Sequence, residues 1–144
     1  MDKDRLMKDR LTDVGLLYLR VVAGCTLLLK HGLEKPEHFA AMAQHFPNPL
    51  HIGATQSLAF ALIADFICSM LIILGLGTRW ASAVACFNIF VAWAFVHHFL
   101  FFGRDADHGE LMVLYLAAFG CLIFTGAGRY SLDAVIARRH KAAA

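Results

Sequence analysis

The sequence predicts an all-α integral membrane protein, a four-helix bundle in which the whole chain, 1–144, forms one domain. Two observations carry this prediction. The chain is 59% hydrophobic and only 17% charged, against about 45–50% and 25% for an average soluble domain. The apolar residues also fall into four long runs, and roughly 20 such residues, with a lower limit near 17, span the hydrocarbon core of a bilayer.

The four runs give the membrane helices in order. Segment 80–102 has 23 residues and 111–128 has 18, both without a charge, while 57–78 has one charge in 22 residues. Segment 14–29 has 16 residues with one charge, and it is long enough when it is extended at both ends. With interfacial residues included, the predicted spans are 11–30, 55–77, 80–102 and 110–128.

The connections between the spans complete the predicted fold. Between the first and second spans, Pro36 begins a helix whose apolar residues recur at helical spacing as far as Phe46. We expect this short amphipathic helix to lie on the outer membrane surface or over the mouth of the bundle. The short turn at 75–78 makes the second and third helices antiparallel neighbours. The alanine-rich tail, 134–144, is predicted to be disordered.

Positive charges orient the bundle in the membrane. Nine lysines and arginines lie on the side of the two termini and three on the opposite side. Cytoplasmic segments of membrane proteins carry such an excess, so both termini are predicted to be cytoplasmic. The nine are Lys3, Arg5, Lys8, Arg10, Arg79, Arg129, Arg138, Arg139 and Lys141, and the three are Lys30, Lys35 and Arg104.

Two charged side chains fall inside the four apolar runs. A charge near the bilayer centre costs about 2.5–3.5 kcal/mol, so it needs a partner or a wet cavity. Counted from the inner ends of their helices, Arg20 lies about 12 Å deep and Asp65 about 17 Å deep. We therefore expect the two to pair. The pair is either a structural clamp or the floor of a ligand pocket, where a carboxylate transfers a proton and an arginine polarises a carbonyl.

Polar residues near the outer ends of the helices form the predicted rim of this pocket. Arg20 and His31 are 11 residues apart, close to three helical turns, so they share one face of the first helix. Glu110 begins the last helix at the level of His31. His97 and His98 diverge by about 100°, so only one of them can point into the bundle.

A metal site is an alternative use of the same outer residues. Seven of the eight histidines lie on or near the outer side, and histidine is a common metal ligand. The candidate ligands are His31, His98 and Glu110, completed by histidines of the loops. The sequence has no tight ligand motif such as a histidine pair at i and i+4. A haem held by two histidines from different helices also stays open.

Other polar residues of the spans are predicted to be structural. Asn88 is the one strongly polar residue inside the third span and is expected to donate an interhelical hydrogen bond. The four cysteines, one in each span, have no redox-pair spacing. Glu110 and Cys121 share one face of the last helix.

Three motifs carry a family resemblance. They are Arg20 followed by Lys-His-Gly-Leu-Glu-Lys at 30–35, the turn Gly-Leu-Gly-Thr-Arg at 75–79, and Gly-Ala-Gly-Arg-Tyr-Ser-Leu-Asp at 126–133. In this order around four spans, they make the chain resemble DoxX-type membrane proteins over nearly its whole length. The resemblance implies a four-helix protein of the bacterial inner membrane. Where the family pattern leads us to expect a glutamate in the second helix, this chain has Asp65, whose reach is shorter.

The resemblance also implies possible roles. Some family members are the membrane subunit of thiosulfate:quinone oxidoreductases, others belong to assemblies that link thiol and oxidative-stress chemistry, and many have no assigned activity. The first expectation is therefore a quinone-interacting subunit of an oxidoreductase system linked to sulfur or thiol redox chemistry. In it, Arg20 and Asp65 act as the catalytic charge pair, and the quinone contacts His31, His97, His98 and Glu110.

Two other functions stay open. The chain is alternatively a non-catalytic membrane anchor or assembly subunit, or a protein that binds a metal or small ligand at its histidine-rich outer mouth. The expected partners are the lipid bilayer and proteins that carry redox centres, and a homo-oligomer also stays open. Nucleic acid is excluded as a partner, because the net charge is only +2 and no basic stripe is interleaved with aromatic residues.

Overall fold

The regular structure is helical throughout the described part of the chain. The computed structural model describes residues 3–100 and 109–143. Its α-helices are α1 (Lys3–Leu27), α2 (Glu34–Met42), α3 (Ala54–Leu62), α4 (Ser69–Leu74), α5 (Thr78–Val91), α6 (Gly109–Thr125) and α7 (Leu132–Ala143). Three π-helical turns extend or join them, at Leu28–Gly32, Ile63–Cys68 and Ala92–Val96.

Four membrane helices make up the bundle, as predicted. The first is α1 with its π-helical turn, the second runs from α3 through α4, the third is α5 with its π-helical turn, and the fourth is α6. The first three are long and apolar enough to cross a membrane, and α6 is an apolar helix of 17 residues, at the lower limit for a span. The predicted end of the third span, 101–102, and the loop with His108 lie outside the described residues.

The bundle has two chemically distinct ends. We call one the turn end, because the 75–77 connection and the 126–131 segment meet there, where the amide of Asp133 donates to the carbonyl of Gly75. We call the opposite one the cavity end, where α2 and the segment 43–53 lie. Because successive membrane helices are antiparallel, α1 starts at the turn end and α3 starts at the cavity end.

The fourth helix packs one face into the core and leaves the other exposed. Besides Gly109 at its start, its buried residues are Tyr115, Phe119 and Leu122, which recur at helical spacing and whose large side chains fill the bundle. The face that Glu110 shares with Cys121 points outward, and Leu114 between them is 65% exposed. The shared face predicted from the sequence is therefore real, but it faces away from the bundle interior.

The predicted amphipathic helix exists as a continuation of the first membrane helix. It spans Glu34–Met42, beginning two residues before Pro36, and kinks at His38, where φ is −115° and ψ is 19°. Pro36 is tolerated because it lies in the first turn, where a backbone N–H has no partner within the helix. The continuation places Lys35 one turn beyond His31 and over the cavity end.

The disorder predicted for the tail was wrong for residues 134–143, which belong to α7. Two side chains start this helix. The hydroxyl of Ser131 accepts a hydrogen bond from the amide of Ala134, as a helix N-cap does. The carboxylate of Asp133 ties the first turn to the 75–77 connection. The alanines and basic residues that follow are strong helix formers.

Candidate functional site

Arg20 is a structural centre at the turn end. Its side chain is 0% exposed, and its guanidinium donates to the carbonyl of Tyr130 at 2.6 Å and to those of Ile72 and Ile73 at 3.4 Å. Gly75 has a φ of +72°, and a Cβ there would collide with Nη1 of Arg20. Arg20 therefore joins the end of the second helix to the segment that precedes α7.

Asp133 completes this cluster from the other side. Its carboxylate accepts hydrogen bonds from the amides of Gly77 at 2.8 Å and Thr78 at 3.2 Å. These N–H groups at the start of α5 have no partner within the helix, and Asp133 supplies one. The Arg20 residue, the 75–79 turn and the 126–133 segment thus meet at one end of the bundle. These parts of the sequence pattern hold the bundle together.

The predicted Arg20–Asp65 pair was wrong. Asp65 pairs instead with Lys35, whose Nζ lies 2.8 Å from Oδ2. The guanidinium of Arg20 reaches the carbonyl of Ile73, whereas Gly32 is level with Asp65, because a Cβ on Gly32 would lie 2.5 Å from the carbonyl oxygen of Asp65. Arg20 therefore contacts a residue eight positions beyond Asp65, roughly 12 Å nearer the turn end of the second helix. The prediction measured both depths from the ends of apolar runs, and those ends are not level.

Lys35, Asp65 and Asn88 form a buried polar cluster between three elements. The side chains of Lys35 and Asp65 are 9% and 8% exposed. Lys35 also donates to the carbonyl of His31 at 2.7 Å, and Asn88 donates to Oδ1 of Asp65 at 2.9 Å. The interhelical hydrogen bond predicted for Asn88 is confirmed. Buried charges are stable when they are paired and hydrogen-bonded in this way.

This cluster lies in the wall of a cavity of about 430 Å³ at the cavity end. Ligand pockets have volumes of about 300–1,000 Å³, with mainly apolar walls and a few placed polar groups. The cavity has this character. Its apolar wall includes Leu27, Phe46, Phe60, Phe87, Val96 and Met112, and its polar groups belong to His31, Lys35, Ser57, Asp65, Asn88, His97 and Tyr115.

The cavity contains some of the predicted pocket residues and excludes others. His31 and Asp65 line it, and so does His97, while the neighbouring His98 is exposed. Arg20 lies at the opposite end of the bundle. Glu110 is exposed on the outer face of α6, because the inner face is occupied by the bulky residues of the core.

The predicted metal ligands do not assemble. Within residues 3–100 and 109–143, no three side chains of His, Cys, Asp or Glu lie close enough together to hold a metal ion. His31 is in the cavity wall, whereas His98 and Glu110 both point outward. The four cysteines are free thiols.

The three π-helical turns carry or adjoin the cavity wall. The first contains His31, the second contains Asp65, and the third contributes Ala92 and Val96. A π-helical turn widens a helix locally, and such turns occur frequently at functional sites. Three of the four membrane helices thus depart from regular α-helical geometry around one space.

Tyr115, like Lys35, is a wall residue that the sequence analysis missed. It is 5% exposed, and it stacks on Phe119 with ring centroids 5.8 Å apart. The hydroxyl has no hydrogen-bond partner among the described residues. The signal was present, because Tyr115 is the one hydroxyl-bearing residue between 111 and 124 in an otherwise apolar run.

Comparison with known proteins places this geometry in context. The family model described as DoxX matches residues 15–98. Two uncharacterized proteins of Haemophilus influenzae are similar over most of their length. One is 30% identical over 138 residues, covering 93% of this chain and 91% of the relative. The other is 32% identical over 126 residues, covering 82% and 87%. No solved structure gives a significant match.

Proposed function

The chain belongs to the DoxX family, and from this premise we propose that it is a quinone-interacting membrane subunit of an oxidoreductase system linked to sulfur or thiol redox chemistry. The observation that carries the proposal is the apolar cavity of about 430 Å³ with the Lys35–Asp65–Asn88 cluster in its wall. A quinone has a matching form, because its ring and isoprenoid tail are apolar and its carbonyls are polar.

The wall residues fit the chemistry of such a ligand. A bound quinone would accept two electrons and two protons. Lys35 is a cation that can stabilise negative charge on a head-group oxygen. Asp65 is a carboxylate held in place by Lys35 and Asn88, and a positioned carboxylate can pass protons. The electrons come, in this proposal, from a protein partner that carries a redox centre, and the membrane subunit itself supplies the binding site.

The proposed setting is the bacterial inner membrane with both termini in the cytoplasm. The charge count supports it, since nine basic residues lie on the side of the termini and three on the other. In this orientation the turn end faces the cytoplasm and the cavity end faces outward. A partner that delivers electrons would then meet the subunit at the outer surface.

Quinone retention by the purified protein tests the proposal. The full chain is purified in a mild detergent, and its quinone content is measured by solvent extraction and mass spectrometry, relative to co-purified phospholipid. We expect wild type to retain a quinone and the charge-free variant Lys35→Met/Asp65→Leu to retain roughly threefold less or lower still, as loss of polar contacts to a ligand predicts.

The matched control removes two exposed charges from the same region. Lys30→Met/Glu34→Leu changes neighbours of the cluster that do not line the cavity, so its quinone content should equal that of wild type. Equal quinone content in wild type and the Lys35/Asp65 variant, or content no higher than in an unrelated membrane protein, would contradict the proposal.

A non-catalytic anchor is the second candidate, and the turn end favours it. The hydrogen bonds of Arg20 all go to backbone carbonyls, and those accepted by Asp133 come from backbone amides. Polar groups used in this way stabilise a helix bundle and take no part in catalysis or ligand binding. An anchor would show no quinone above the phospholipid background in any of the variants.

A further inference from the structure

The hydroxyl of Tyr115 is a buried polar group whose use the fold does not explain. Tyr115 is 5% exposed, and no described residue forms a hydrogen bond with its hydroxyl. A buried polar group without a partner destabilises the folded state, whereas a phenylalanine in its place would not. An unpaired group of this kind needs an explanation, and a ligand that completes the site supplies one.

The place of the ring shows which ligand that would be. Tyr115 lies in the wall of the cavity together with Lys35, Asp65 and Asn88. Asp65 already accepts hydrogen bonds from Lys35 and Asn88. The hydroxyl of Tyr115 is therefore the unpaired donor among these four side chains, and a ligand that carries an acceptor oxygen complements it.

We propose that Tyr115 donates a hydrogen bond to a carbonyl oxygen on the head group of the cavity's occupant, so that the site selects carbonyl-bearing rings over purely apolar lipids. The inference rests on the proposed function and adds the residue that recognises the quinone head group. A site built to hydrogen-bond its ligand rejects an analogue that lacks the bonding atom, because the buried donor is then left unpaired. Tyr115 is in this account a ligand-binding residue and a determinant of specificity.

Two ligands of equal tail length separate hydrogen bonding from apolar contact. The probes are decyl-benzoquinone, which has ring carbonyls, and decylbenzene, which has none. Binding to the full chain in lipid nanodiscs is measured by titration calorimetry, with empty nanodiscs subtracted. The variant is Tyr115→Phe, and the matched control is Tyr18→Phe, which changes a tyrosine that is 70% exposed on α1.

The expected result is selective. Tyr115→Phe should weaken decyl-benzoquinone binding by about three- to tenfold, the effect of one neutral hydrogen bond, and leave decylbenzene binding unchanged. Tyr18→Phe should change neither. Without ligand, Tyr115→Phe should melt at the same temperature as wild type or about 2–4 °C higher, because an unpaired hydroxyl is removed.

The outcomes that overturn the inference differ from those that overturn the proposed function. If wild type binds the quinone and Tyr115→Phe binds it equally well, or if Tyr115→Phe binds both ligands more weakly to the same extent, the Tyr115 hydroxyl does not donate a hydrogen bond to the quinone carbonyl. A lower melting temperature of ligand-free Tyr115→Phe would show that the hydroxyl has a structural partner, which also contradicts the inference. If wild type binds no quinone, the proposed function falls and the inference falls with it.

Discussion

A double-mutant cycle on Lys35 and Asp65 tests the register of the first two membrane helices. The two charged atoms are 2.8 Å apart, and both side chains are more than nine-tenths buried. At an effective dielectric constant of 20, the attraction between them is about 6 kcal/mol. Desolvation offsets most of it, so removing both charges costs little, whereas removing one leaves the other unpaired.

The expected magnitudes follow from this balance. Lys35→Met and Asp65→Leu should each lower the free energy of unfolding by about 3 kcal/mol, at the low end of the range for a broken buried pair, because Lys35 also binds the carbonyl of His31 and Asp65 also binds Asn88. The double variant should lose only about 1–2 kcal/mol, chiefly for the stranded amide of Asn88. The coupling energy between the two sites is then about 4 kcal/mol.

Unfolding in mixed micelles of mild and denaturing detergent, followed by circular dichroism, measures these free energies. The second arm of the cycle combines Asp65→Leu with Arg20→Met. Because Arg20 binds the carbonyls of Ile72, Ile73 and Tyr130 instead of Asp65, its effect should add to that of Asp65→Leu within about 0.5 kcal/mol. Additivity between Lys35 and Asp65, or coupling above about 1 kcal/mol between Arg20 and Asp65, would refute this register.

Three further predictions concern the turn end and the orientation. Asp133→Ala removes the acceptor of two backbone hydrogen bonds and should cost about 1–2 kcal/mol in the same micelle assay; a cost below about 0.5 kcal/mol would contradict the capping role. Gly75→Ala places a Cβ at a φ of +72° and against the guanidinium of Arg20, so it should destabilise the fold by more than about 1 kcal/mol. Gly120→Ala places a Cβ in open space and should stabilise the fold by about 0.5–1 kcal/mol. Equal effects of the two variants would contradict the close packing at Gly75. Reporter fusions within 47–51 and after Ala144 should lie in opposite compartments, and the same compartment for both would reject the topology.

Hydropathy and helical spacing were enough to predict the architecture. A run of about 20 apolar residues has few options other than a membrane helix, so the four helices and their order follow directly from the composition. Spacing also predicts that Arg20 and His31 share one face of the first helix, and in the structure Arg20 is buried and His31 is half-buried on that face.

The relative heights of the helices could not be predicted in the same way. Hydrophobic runs end gradually, and the first helix begins at Lys3, well before the predicted span. Arg20 lies at the turn end, beside the carbonyls of Ile73 and Tyr130, and not in the middle of the bundle. Pairing between helices is decided by the close approach of backbones, as at Gly32 and Asp65, which a single sequence does not reveal.

Lys35 was overlooked because its segment was treated as a loop. The proline at position 36 indicated a new helix start, and a lysine just before it was counted as a surface charge. The structure continues the helix through this point, so the face that contains Leu27 and His31 gains one more turn and reaches Lys35. Extending the helical spacing by four residues would have found it.

The choice between two faces of the fourth helix depended on packing. Both faces repeat at helical spacing, and the one with Glu110 offered a polar group at the expected height. The one with Phe119 and Leu122 offered more volume to bury, and both side chains are 0% exposed in the core. Burial of apolar volume outweighed the position of one carboxylate, which remains exposed near the end of the helix.

Photoaffinity mapping tests directly whether a quinone binds at the cavity end. The full chain in native membranes is labelled with a photoreactive azido-benzoquinone that carries a decyl tail, and the labelled peptides are identified by mass spectrometry. We expect labels in the wall segments around Asn88 and Tyr115, and excess unlabelled quinone should suppress them. Labels confined to lipid-facing residues such as Trp80 and Phe124, both 82% exposed, and insensitive to competition would contradict a quinone site at the cavity end.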